Sequence, residues 1–173
     1  MAHKTARVVL GAVLSGLSLM AASPLHAAPV AIWEGLTLGM SIPEAQISHP
    51  QLTALPSPVP RPGFARYVMQ GPFIGSCLST VDVNFLGGRL ASVEVHALTD
   101  TDSGDVRICA EEWGLAIRQK YGQPLFDVRV PMMENITWNA NGFSVTTHMR
   151  VLNSIVLYSV SYQAPRRTAA QIF

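Results

Sequence analysis

Long apolar runs are missing from this chain. The greasiest stretch, Val8 to Ala22, spans 15 residues and is broken by Gly11, Ser15, Gly16 and Ser18. A helix needs about 20 apolar residues to cross a bilayer, so no stable membrane anchor is expected. Charge is scarce and balanced, with 12 basic against 11 acidic side chains in 173 residues. Without a basic run there is no grip on phosphates, and nucleic-acid binding is excluded. The Arg166-Arg167 pair reads as a solvated end. Cysteine is limited to Cys77 and Cys109. They are too far apart for a Cys-x-x-Cys redox pair, and neither lies near the N-terminus to carry a lipid.

Catalytic signatures are equally sparse. There is no Gly-x-Ser-x-Gly elbow and no His-x-x-x-His spacing, and His49, His96 and His148 are isolated from one another. A metal site or a Ser-His-Asp set would have to be assembled wholly by the fold. His96 and His148 read as solvated surface histidines. Asp100, Asp102 and Asp105 lack the twelve-residue calcium loop with its final Glu, and they sit where a helix needs caps. Gly87-Gly88 turns a hairpin and does not open a helix, so it makes no phosphate cradle. No catalytic residue, metal ligand or cofactor is assigned.

What is present begins with an address. His3, Lys4 and Arg7 precede the apolar run, and small residues follow to Ala27-Ala28, the order of a secretory signal. Residues 1–27 are expected to be removed, with a cut one residue later as the alternative. That leaves 28–173 as a single domain in the periplasm or secreted. Without Lys4 and Arg7 it carries 10 basic against 11 acidic side chains.

Ser41-Ile42-Pro43-Glu44 predicts a capping box and a short helix that Pro50 ends. Residues 54–63, with four prolines, predict an extended connector. Phe64–Gln70 predicts a first strand. Cys77, Ser79, Val81, Val83 and Phe85 alternate with a more polar set, as do Ala91, Val93, Val95 and Ala97 beyond Gly87-Gly88, which predicts a hairpin. After the caps at Thr99 to Ser103, the apolar stripe Val106, Cys109, Ala110, Trp113, Ala116, Ile117 and Tyr121 predicts a helix laid on a sheet and closed by Gly122. A loop to Glu134 then leads into strands around Asn141-Gly142 and at Ile155 to Tyr162. Helix, up to three strands, helix, three strands predicts an α+β class with helices on one face of an antiparallel sheet. The repeated order also allows a tandem helix-plus-three-strand duplication, with halves at about 35–98 and 99–163, or an accident of order.

Cys77 shares strand parity with Val81 and Val83, and Cys109 lies on the helix stripe, so both face the same predicted layer. An intramolecular disulfide is expected, worth about 3 to 4 kcal/mol by chain entropy. The alternative is two buried thiols. Trp138, Tyr158 and Tyr162 either share an open sheet face as a protein-binding surface or belong to the core.

The segment Gly35-Leu36-Thr37-Leu38-Gly39-Met40-Ser41, the Gly87-Gly88-Arg89-Leu90 hairpin and the helix exit Lys120-Tyr121-Gly122-Gln123-Pro124 resemble small exported bacterial domains. These are the outer-membrane assembly lipoproteins called SmpA or OmlA and the beta-lactamase inhibitory protein fold group. The resemblance implies helices against an antiparallel sheet, duplicated in the inhibitors. The chain departs from the assembly lipoproteins in lacking their lipid-bearing cysteine. The functional expectation is a non-enzymatic protein-binding, inhibitor or assembly accessory domain whose partner is an envelope protein. The alternative is a small periplasmic hydrolase or other enzyme with a site assembled only in the fold.

Overall fold

A computed structural model describes residues 30–56, 61–73, 77–98, 103–153 and 155–165. The predicted leader at 1–27, the caps Thr99 to Asp102, Arg166-Arg167 and the middle of the proline-rich connector lie outside the described residues.

The elements run β1 (Ala31–Trp33), β2 (Leu36–Thr37), α1 (Ile42–Ser48), β3 (Thr53–Leu55), β4 (Phe64–Gln70), β5 (Leu78–Leu86) and β6 (Arg89–Leu98). They continue with α2 (Ser103–Tyr121), β7 (Phe126–Val130), β8 (Met133–Ala140), β9 (Phe143–Leu152) and β10 (Ile155–Gln163). β1 and β2 form a small hairpin, and the other eight strands make one antiparallel sheet in the order β3-β4-β5-β6-β10-β9-β8-β7.

This corrects the expected α+β class. Ten strands and only two helices occur among the described residues, and one helix has just seven residues, so the chain is mainly β. The helix-plus-three-strand unit is corrected as well, because each side of the β6–β10 junction is a four-strand meander. Four strands are absent from the prediction: β1 and β2 of the small hairpin, and β3 and β7, the edges of the main sheet. Every residue of β3 and β7 is exposed. A strand held by backbone pairing alone need not bury an apolar face, and the connector expected at 54–63 is corrected at its start, where Ala54 and Leu55 belong to β3 and pair with Tyr67 and Arg66.

Local chemistry explains the ends of the helices. The Ser41 side chain accepts from the Glu44 amide while Glu44 takes the Ser41 amide at 2.7 Å, completing the capping box of α1. Gly122 follows α2 with φ of 75° and donates its amide to the Arg118 carbonyl at 2.8 Å.

The β5–β6 hairpin contains one irregularity that decides which side chains face where. Phe85 pairs with Leu90 but Asn84 pairs with Ser92, so Ala91 is an extra residue in β6. Counting straight back from the Gly87-Gly88 turn would set Val81 against Glu94. The bulge sets Val81 against Val95 and Asp82 against Glu94. Leu90 and Val93, three positions apart, can therefore both be buried.

One face of the sheet carries the core. Val81, Val83, Phe85, Val93, Val95, Val145 and Val160 are fully buried there, and the α2 stripe of Val106, Cys109, Ala110 and Ile117 is buried with them. The helix packs on β10, β6 and β8. Its far end is tied down by Trp138, whose Nε1 donates to the Gly122 carbonyl at 3.0 Å.

Candidate functional site: the helix-free face of the sheet

The opposite face is polar over its central strands and carries apolar side chains toward β4 and β7. By register, Thr53, Val68, Asp82, Glu94, Ser161, Thr146, Thr137 and Phe126 form one row over all eight strands. The neighbouring row runs Thr80, His96, Ser159, His148, Asn135 and Val128. A recess of about 620 Å3 lies over the middle, with Arg66, Asp82, Glu94, His96, His148 and Arg150 among its lining, and Leu55, Val68 and Leu157 supply apolar contact.

The floor is a hydrogen-bonded network. Asp82, 5% exposed, accepts from Arg66 Nη2 at 2.6 Å and from His96 Nε2 at 2.9 Å, both through Oδ2. Glu94 accepts from the Ser159 hydroxyl at 2.9 Å, and its second oxygen lies 3.9 Å from His96 Nε2. His148 Nδ1 and Asn135 Oδ1 are 2.7 Å apart, and the buried Thr137 and Thr146 hydroxyls share a bond of 3.1 Å.

Burial alone would raise the Asp82 pKa, but the hydrogen bonds from His96 and Arg66, with their charges, outweigh it and hold the carboxyl below its ordinary range. The bond to Asp82 pushes His96 the other way, above the usual imidazole value, against the opposing effect of desolvation. Both shifts favour the charged forms of the pair, and Arg66 supplies a second donor to the same carboxylate oxygen. Ser159 stands directly opposite His96 in the register, yet its hydroxyl is given to Glu94. The members of a Ser-His-Asp set are adjacent without being linked in sequence of proton transfer.

Cys77, just ahead of β5, and Cys109 of α2 are joined as a disulfide with their Cα atoms 6.2 Å apart. The bond fits an oxidising compartment. Among the described residues no helix is long and apolar enough to cross a membrane. Trp138, Tyr158 and Tyr162 lie on the helix side of the sheet and are buried. Tyr158 packs against Trp113 with ring centroids 5.5 Å apart. These three present no open aromatic face.

His96 and His148, expected to be solvated, instead sit half-buried in the recess. Asp82, Arg66, Glu94 and Ser159 were not singled out from the sequence at all. The bulge sets Asp82 opposite Glu94, while the β4–β5 and β6–β10 pairings bring in Arg66 and Ser159. A second recess of about 560 Å3 gathers Trp33, Tyr121 and Phe143 beside Glu34 and Lys120. It holds no counterpart of the Asp82 network among the described residues, so the sheet face is the stronger candidate. Comparison with protein-family models, with curated proteins and with solved structures returns no match to this chain.

Proposed function

We propose that this chain is a non-enzymatic, exported protein-binding domain of the bacterial envelope, an inhibitor or assembly accessory, and that its contact surface is the helix-free face of the sheet. The observation that carries this is the mutual commitment of the polar groups on the floor. Arg66 and His96 are spent on Asp82, and the Ser159 hydroxyl on Glu94. Such a surface offers fixed charge and shape, with the Ser159 hydroxyl already engaged. The exposed Leu157 and Arg150 at its rim supply an apolar contact and a cation for a protein partner. The periplasm is the compartment proposed, in keeping with the leader-like N-terminus and the disulfide.

A second reading, a small hydrolase, is favoured by one observation: His96 lies beside Asp82 in a recess, opposite Ser159. Capture of partners from native envelope by the processed chain separates the two, with Leu157→Arg, Arg150→Glu and His96→Asn as variants. A binding domain loses its partner on both rim substitutions and turns over no ester or amide substrate. Turnover abolished by His96→Asn, with capture unaffected by the rim variants, would establish the enzyme instead.

A further inference from the structure

The sheet order leaves two edges, β3 and β7, and they are not alike. β3 has three residues and is followed by Pro56. Short strands and proline blunt an edge against pairing. β7 has five residues with no proline among them, and Phe126, Val128 and Val130 project side by side onto the helix-free face while 55%, 49% and 48% exposed. The Pro131-Met132 turn closes the β7–β8 hairpin at the Val130–Met133 pair. Alternation from that pair directs the amides of Phe126, Val128 and Val130 to β8 and those of Asp127 and Arg129 outward.

The sequence Phe126-Asp127-Val128-Arg129-Val130 is its own antiparallel complement. A twofold axis at Val128 sets Asp127 against Arg129 of a second copy, twice over, and these are the residues whose amides face out. On the other face the same axis sets Phe126 against Val130 and Val128 against itself, making one apolar stripe from two exposed halves. Within one chain Arg129 already donates to Asp127 at 2.8 and 3.2 Å, Arg118 lies 3.4 Å from Asp127 and Glu134 lies 3.5 Å from Arg129, so the axis would join two such Asp–Arg pairs into one alternating cluster of opposite charges. We propose that the occupant of this edge is a second copy of the chain, paired antiparallel through β7 into a sheet twice as wide. A foreign strand would have no reason to match both the charge order and the apolar order of this one.

Sedimentation of the oxidised, export-processed chain over a concentration series is the test. A reversible monomer–dimer equilibrium is expected. Asp127→Arg or Arg129→Asp, each placing like charges across the axis, is expected to weaken the dimer by at least about tenfold. The double swap restores opposite charges and is expected to recover most of that loss. Val128→Cys is expected to yield a disulfide-linked dimer and Arg129→Cys is not, because only position 128 meets itself. Unchanged far-ultraviolet circular dichroism verifies that each variant is folded. A chain that is monomeric at every concentration, or a dimer indifferent to both charge substitutions, overturns the pairing.

Discussion

Asp82 and His96 make stability depend on pH in two opposite ways. Asp82, with its pKa lowered, stabilises the fold above the ordinary carboxylate value of about 3.9, and this is lost as pH falls through the lowered value. His96, with its pKa raised, contributes fully below the ordinary imidazole value of about 6.5, and this is lost as pH rises through the raised one. The urea midpoint is expected to be highest between roughly pH 4 and 6.5. In His96→Asn the alkaline decline should flatten while the acid limb persists; an undiminished alkaline decline would assign it to other groups. Tyr158 offers a second test. Its hydroxyl is buried and finds no hydrogen-bond partner among the described residues, and desolvation pushes its pKa well above the phenolic range. An unsatisfied buried hydroxyl contributes nothing, so Tyr158→Phe is expected to match the parent or gain up to about 1 kcal/mol in denaturant unfolding. For the disulfide, replacing Cys77 and Cys109 together by Ala opens a crosslink spanning 32 positions and is expected to cost about 3 to 4 kcal/mol. Free thiols at both positions in folded protein, found by non-reducing peptide mapping, would contradict it.

At the scale of elements, the bulge at Ala91 leads to an unusual expectation. Deleting Ala91 leaves Ser92 opposite Asn84 and every later β5–β6 pair intact, so the fold is expected to survive with a loss under about 2 kcal/mol. Deleting Thr146 instead strikes a strand with smooth register to both β8 and β10, and one face must turn over. That chain is expected to lack a cooperative unfolding transition. Equal tolerance of the two deletions would refute the register. Much of this layer was legible in the sequence: the Ser41-Glu44 capping box, the α2 stripe, Gly122 and the two glycine turns all depend on local chemistry. At the Asn141-Gly142 turn Gly142 adopts the positive φ, at 86°. The edge strands were hidden because exposure leaves no burial pattern to read in Thr53–Leu55, and because Phe126–Val130, which does alternate, follows Pro124 in a stretch read as loop. The site was hidden for a different reason. Asp82 and His96 come together only through a register that an extra residue resets.

For the whole molecule, the central strands place most of their apolar side chains under α2 and gather Arg66, Asp82, Glu94, His96 and Ser159 on the far face, and this gives the chain its candidate surface. Composition offered no basic run to suggest a nucleic-acid interface, and the isolated histidines gave no catalytic signature. Neither could say that Arg66, Asp82, Glu94, His96 and Ser159 converge, because they come from four strands whose order follows from the folded sheet. Leu157 and Leu115 allow the two sides of the molecule to be compared directly. Leu157 stands at the rim of the recess and is 51% exposed, while Leu115 is on α2 and is 59% exposed. A photo-crosslinking residue placed at one or the other in the full 173-residue chain tests whether, and from which side, it meets an envelope protein. Crosslinks to an envelope protein from position 157 and none from position 115 are expected. Crosslinks from position 115 alone, or from neither, would contradict the assignment of the helix-free face as the binding surface.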